Sequence, residues 1–224
     1  MGVLLLVRHG QASFGSADYD RLSGQGREQA RLLGAALAAR GVRPELLVRG
    51  ALRRHRETAE EAVRSAGWGS EVDVDEGWGE FDAAPGFTCG TGTSIDASTE
   101  ALPRETHDDL VRRVETAIDR WASGEHDEEY RESFPAFRRR VDAALARTLA
   151  RLGPRETAVV FTSGGPVSWA GASLSGGGVP VYTRLSKVVV NGSVTKVLDA
   201  RRGPTLVSFN DHAHLETAGL VSYR

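Results

Sequence analysis

The sequence predicts an α/β fold: a three-layer sandwich with a mostly parallel central sheet, helices on both faces and an inserted helical/loop lid. Three observations predict it. Val3-Leu4-Leu5-Leu6-Val7 is an unbroken apolar run between Gly2 and Gly10, the pattern of a buried strand. Segments of helical spacing then alternate with short apolar runs in the order strand, helix, strand, helix, strand. Two of the strands end in polar, glycine-containing turns, Arg8-His9-Gly10 and Ser163-Gly164-Gly165. The carboxyl ends of strands are where open α/β sheets bind ligands.

The elements follow in order. A polar loop, Gln11 to Leu22, leads to Ser23, an N-cap residue type. The helix after it carries Ala30, Leu33, Leu37 and Ala38 at helical spacing and stops at Gly41. Pro44 introduces a short strand, Leu46-Leu47-Val48. A helix over about 51–66 follows, with Leu52, Ala59, Ala62, Val63 and Ala66 on one face and Gly67 as its stop. Val72 and Val74 alternate with charges, which predicts an edge strand. Residues 83–103 are rich in Gly, Thr, Ser, Ala and Pro and read as a loop or lid. Helices are expected over about 105–121 and 134–152, the second with Phe137, Val141, Leu145 and Leu149 on one stripe. Thr157 to Thr162 is a further apolar strand. Two short strands, about 187–190 and 193–199, are expected to flank the tight-turn pair Asn191-Gly192, and 204–209 is the last strand. The expected organisation is one domain over 1–224 with a lid or cap insertion at about 83–135.

Composition removes several function classes. The chain has 224 residues, 40% hydrophobic and 26% charged, with a formal net charge of −2. No global basic field argues for nucleic acid. No apolar stretch approaches the roughly 18 residues that span a membrane. The first apolar run is too short for a secretory core and lacks a basic flank, so a cytoplasmic location is expected. The single Cys89 excludes an internal disulfide and a thiolate zinc cluster. Basic charge is almost all arginine; Lys187 and Lys196 are the only lysines.

Five segments carry chemistry. Arg8 offers a planar fork of donors suited to phosphate, and His9 beside it is a nucleophile or proton shuttle near neutral pH. Arg54 falls in the first turn of its helix, where it adds to the positive end of the dipole and makes an anion site; Arg53 and Arg56 read as a solvated basic face. Glu80, in Gly77-Trp78-Gly79-Glu80-Phe81, is flanked by aromatics, and desolvation there would let it hold a proton as a general acid. The turn at Ser163 and Gly164 presents backbone N–H groups to an anion, without the spacing of a dinucleotide fingerprint or a P-loop. His212 and His214 have the types of metal ligands but no third partner in the sequence, so no metal and no cofactor are expected.

Together these residues resemble the histidine phosphatase superfamily, the phosphoglycerate-mutase-like proteins. The resemblance runs through Leu6 to Gln11, Leu22-Ser23 with Gly26, Gln29 and Ala30, then Leu52, Arg54, Thr58 and Ala59, then Glu80, Val159 to Gly165, Asn210-Asp211 and His214-Leu215. It implies that His9 is phosphorylated during turnover, that Arg8 and Arg54 hold the phosphoryl oxygens, and that Glu80 is the proton donor. One position departs. The family usually carries a second histidine in a Ser-His-Gly-Gly turn, where it donates to the phosphoryl group; here that position is Ser163. A serine can hydrogen-bond a phosphoryl oxygen but brings no charge. His212, on the loop after the last strand, is a candidate to restore it; the alternative reading is an ordinary surface loop residue.

The resemblance implies a metal-independent phosphatase that hydrolyses a phosphomonoester through a phosphohistidine. The partner expected is a small phosphorylated metabolite or a phosphoprotein, with no nucleic acid and no membrane. Two alternatives stay open. Ser163 favours a pseudoenzyme that binds phosphoryl ligands without turnover. A phosphoglycerate mutase is the third reading, although Gln11-Ala12-Ser13-Phe14-Gly15 departs from the Glu-Ser-x-Trp-Asn usual in those mutases. The substrate and the oligomeric state are not legible in the sequence.

Overall fold

A computed structural model describes residues 1–13, 20–69, 71–81 and 116–223. Their elements are β1 (Gly2–Arg8), α1 (Gly24–Ala39), β2 (Leu46–Arg49), α2 (Arg53–Ala66), β3 (Val72–Val74), a 3₁₀ turn (Glu76–Trp78), a helical stretch over 116–123 (α3), α4 (Phe134–Ala150), β4 (Thr157–Thr162), α5 (Gly164–Leu174), α6 (Gly178–Leu185), β5 (Val194–Ala200), β6 (Gly203–Asp211) and α7 (Ala213–Glu216). The six strands form one mixed sheet in the order β3-β2-β4-β1-β5-β6. β3, β2, β4 and β1 run parallel, while β5 and β6 add antiparallel at one side.

The apolar run of β1 is continuous because both faces of the strand are covered. Leu4 and Leu6 point into a core shared with α4, α5 and α6; Leu5 and Val7 point into a second core shared with α1 and α2. β4 divides the same way, with Ala158 and Val160 on one face and Val159 and Phe161 on the other. Helices thus lie on both faces, which is the three-layer arrangement expected. Beneath the strand ends, Phe81, Trp121, Phe134, Phe137, Trp169 and Tyr182 pack ring against ring at centroid distances of 4.4–6.5 Å. No helix among the described residues is long and apolar enough to cross a membrane.

Local signals act as the sequence suggests at several ends. The Ser23 hydroxyl accepts from Gly26 N–H and starts α1. Gly67 closes α2 at φ 67°, a left-handed conformation that glycine adopts without strain. β3 is the edge strand, as expected. The loop expected at 83–103, and the lid as far as residue 115, lie outside the described residues.

One expected strand is absent. Residues 187–190 form a turn and an extended link, not a strand. The reason is topological: β5 already occupies the open side of β1, and β6 that of β5. Asn191-Gly192 therefore does not close a hairpin. Its backbone and side chain go to the end of β1: Gly192 N–H donates to the carbonyls of Arg8 (3.0 Å) and His9 (3.2 Å), and Asn191 Nδ2 donates to His9 O (3.3 Å). α6, in a glycine-rich segment, has no forerunner in the hydrophobic pattern.

Candidate active site

The carboxyl ends of β1 and β4, which are neighbours in the sheet, meet the amino end of α2 in one crevice. His9 is 5% exposed. Its N–H bonds to Thr162 O (2.8 Å), so the backbone is still on the strand ladder where the side chain turns into the crevice. Gly10 makes the next step possible: a Cβ there would lie 2.3 Å from Gly26 O, so only glycine lets the loop pass over α1. Gly10 N–H donates to Thr58 Oγ1 (3.1 Å), which donates to Arg54 O (2.7 Å). This ties the loop after β1 to the first turns of α2.

The hydrogen bonds assign the tautomer of His9. Nδ1–H donates to Gly10 O (2.7 Å), and Nε2 therefore carries the lone pair, which accepts from Arg54 Nε–H (3.1 Å). Burial above all, then the positive charges of Arg54 and Arg8, and then His55, push its pKa well below 6.5. His9 stands neutral at pH 7 with Nε2 presented to the crevice, the state a nucleophile needs.

Arg54 is 1% exposed. Its Nη1 donates to Asp20 Oδ1 at 2.6 Å. Asp20 Oδ2 accepts from Arg53 N–H (2.7 Å) and so caps α2, whose own N-cap residue, Leu52, has no capping side chain. Arg8 runs beside Gly164, with its guanidinium held by the carbonyls of Val189 and Tyr223. Arg54 thus touches His9 directly and Arg8 lies along Gly164 at the end of β4, and both cations lower the pKa of His9 and oppose the rise of Glu80.

Glu80 lies across the crevice on the amino end of α5. Its Oε2 accepts from Gly165 N–H (3.4 Å) and its Oε1 from Phe81 N–H (3.2 Å). A Cβ at Gly165 would come within 2.2 Å of Oε1, so the glycine admits the carboxyl group. Burial raises the pKa of Glu80 above 4.5, against the pull of Arg54, the two backbone donors and Arg8. Arg140 of α4 fixes the segment beneath: its Nη1 donates to Gly77 O and Gly79 O (2.9 Å each), and Glu132 holds the guanidinium in turn.

The arrangement departs from expectation at Ser163. Its hydroxyl is fully buried and meets the Nε2 of His55 at 2.6 Å. The imidazole beside the departed histidine's position comes from α2, not from the loop after β6. His212 instead bonds Asn210 O through Nδ1 (2.6 Å) and faces Glu216 Oε1 at 3.6 Å. β6 is three strands from β4, roughly 14 Å at the usual interstrand spacing, so His212 does not reach Ser163. His214 has a supporting place: Nε2 donates to Gly192 O (3.1 Å), behind the His9 carbonyl. Asn210, at φ 60°, brackets the same link by accepting from Val190 N–H and donating to Val188 O (2.8 Å each). Among the described residues no three His, Cys, Asp or Glu side chains form a metal-holding group. His55, Asn191, Asp20 and Arg140 were not singled out from the sequence. Only the adjacency of His55 to Arg54 could have marked it.

The crevice thus holds a buried neutral histidine, two arginines and a carboxyl group whose pKa is raised. The sequence profile of the histidine phosphatase superfamily (branch 1) matches residues 4–212, and the chain belongs to that superfamily. No curated protein sequence matches it. Its fold is similar to a phosphoserine phosphatase mutant from Entamoeba histolytica in complex with phosphoserine (TM-score 0.66, 21% identity, covering 96% of this chain and 100% of that one). It is also similar to the alpha-ribazole phosphatase from Shigella flexneri (TM-score 0.65, 21% identity, 94% and 97%) and to a mycobacterial glucosyl-3-phosphoglycerate phosphatase (TM-score 0.63, 22% identity, 93% and 98%).

Proposed function

We propose that this protein is a phosphatase that hydrolyses a small phosphomonoester through a phosphohistidine at His9. The observation that carries the reading is the fixed tautomer of His9, with Nδ1–H on Gly10 O and Nε2 held toward the crevice by Arg54. As the phosphoryl group enters, Arg54 Nε–H passes from Nε2 to a phosphoryl oxygen, and the freed lone pair of Nε2 attacks phosphorus in line while the P–O bond to the leaving group breaks. Arg8, Arg54 and the N–H of Gly164 stabilise the charge on the equatorial oxygens. Glu80, holding a proton, passes it to the departing oxygen. Glu80, now a carboxylate, takes a proton from water as that water attacks the phosphohistidine, releasing phosphate and restoring both groups. The arginines supply the positive charge, so no step calls for a metal. The fold relatives act on small phosphorylated compounds as their names state, which supports a small metabolite as substrate ahead of a phosphoprotein.

The test is phosphate release from an aryl phosphate, with trapping of acid-labile, base-stable phosphate on the protein. Wild type should turn over and label; His9→Ala should do neither. Binding of inorganic phosphate with no release and no label would favour the pseudoenzyme reading, which rests on Ser163. Equal labelling of wild type and His9→Ala would sink the assignment of His9.

A further inference from the structure

His55 and Ser163 form a buried pair that the scheme above does not use. Both are fully buried, and Nε2 and Oγ lie 2.6 Å apart. The His55 ring centroid is 5.7 Å from that of His9. Nδ1 of His55 lies against the Gly50 backbone, so Nε2 is the ring nitrogen left to exchange a proton with Ser163 Oγ. Room for the ring is made specially: a Cβ at Gly50 would lie 2.3 Å from Nδ1 and 2.8 Å from Trp78 O. The charged and titratable neighbours are Arg54 on its own helix, Arg49 at the end of β2, and His9 after β1; across the crevice Glu80 lies on Gly165. Burial, then Arg54 and Arg49, hold the imidazole neutral, and its contact with the Gly50 backbone pulls the other way. An imidazole among cations gains its proton when an anion enters.

We propose that His55 and Ser163 together replace the second histidine of the phosphoryl site: Ser163 Oγ–H donates to a phosphoryl oxygen, and His55, protonated as the phosphoryl group arrives, donates from Nε2 to Ser163 Oγ. One proton is taken up from solvent. No bond to Ser163 forms, and the leaving group still takes its proton from Glu80. His55 acts through Ser163 and is a positioning residue. The inference rests on the phosphatase reading.

The first experiment measures kcat/KM for p-nitrophenyl phosphate in wild type, His55→Ala, Ser163→Ala and the exchange variant H55A/S163H, which returns an imidazole from the opposite element into the space vacated. Each single variant should lose roughly 10- to 1,000-fold, and the exchange variant should recover at least tenfold over His55→Ala. A His55→Ala variant within about threefold of wild type overturns the proposal. So does an exchange variant no better than a folded His55→Ala. The second experiment does not depend on turnover. ¹⁵N NMR of the His55 ring in wild type at pH 7.5 should show the neutral form alone and the imidazolium with saturating inorganic phosphate; a ring that stays neutral overturns the proposal even if the variants fail to fold. A wild type that neither releases nor binds phosphate removes the phosphatase reading itself. An active wild type with a neutral His55 removes only this inference.

Discussion

Gly165→Ala tests whether Glu80 is the proton donor without touching Glu80. The added Cβ would lie 2.2 Å from Glu80 Oε1 and 3.1 Å from Phe81 Cδ1. Ordinary contact starts near 3.4 Å, so the carboxyl group must retreat by about 1.2 Å or swing away. Retreat also stretches the bond from Gly165 N–H, already 3.4 Å. A displacement of about 1 Å in a reacting group costs on the order of 100-fold, about 2.7 kcal/mol. The loss should depend on the leaving group. An alkyl phosphate needs a proton on the departing oxygen, so its kcat should fall roughly 100-fold, within the range for a general acid. p-Nitrophenyl phosphate leaves as a stabilised anion and should lose less than about tenfold. The side-chain end can move without opening a cavity, so the melting temperature should shift little. The assay is kcat for both substrates on one preparation, with melting as control. Equal losses on both substrates would show that the crevice as a whole was disturbed, and unchanged rates on both would remove Glu80 as the acid.

Arg54→Lys cannot keep both the Nε contact with His9 and the Nη1 contact with Asp20; kcat/KM should fall roughly 100- to 1,000-fold, and a variant within threefold of wild type would refute the role. His212→Ala should change kcat/KM by less than about twofold, because His212 is paired with Asn210 and Glu216; a tenfold loss would return it to the site. The pH profile of kcat/KM should be a bell. The acid limb reports His9, which must be neutral and whose pKa is held below 6.5; the alkaline limb reports Glu80, which must hold a proton and whose pKa is raised above 4.5. His55, which takes up a proton on binding, adds to that limb; Glu80→Gln should therefore make it shallower, and an unchanged limb would remove Glu80 from it. Both buried histidines bind protons better unfolded than folded, so their contribution to stability is full above about pH 6.5 and is lost as pH falls through their lowered folded values; Tm at pH 7.5 and 5.5 should differ less in His9→Ala/His55→Ala than in wild type.

The sheet was legible in the sequence because β1 and β4 are apolar on both faces and the helices carry clear periodicity. Arg8, His9 and Arg54 could be placed because each sits at a strand end or helix start, where topology alone fixes direction. The failures share a cause. Lys187 to Val190 has strand composition, but pairing depends on which sheet edges remain open, and β5 and β6 had taken them. Asn191-Gly192 has the chemistry of a hairpin turn, and its groups are used instead on the Arg8 and His9 carbonyls. His212 is a candidate neighbour of Ser163 in the sequence because both follow strands that can open on one crevice edge; the structure leaves it the other reading, a residue of its own loop. Strand order sets the distance between those loops, and local sequence does not carry strand order. His55 was hidden for the same reason: its partner is 108 residues away.

The amino end of α2 binds the site and the fold into one unit. Within two turns it carries four buried polar residues: Arg54, His55, Glu57 and Thr58. Each addresses a different segment. Arg54 meets His9 and Asp20, His55 meets Ser163, and Thr58 accepts from Gly10. Glu57 accepts from Leu22 N–H and pairs with Arg27 and Arg53. Burying an unpaired arginine would cost several kcal/mol. Asp20 offsets that cost for Arg54 and, on its other oxygen, caps the helix that carries it. The helix start, the loop after β1 and the nucleophile's orientation are therefore set by the same few bonds. Burial first, and then Arg54, keep His9 and His55 neutral; on the proposed reading Arg54 and Arg8 are also the charges that favour a phosphoryl dianion. Desolvation that disfavours three buried cationic or protonatable groups before binding becomes, once the anion is among them, the low-dielectric setting in which their attraction for it is strongest.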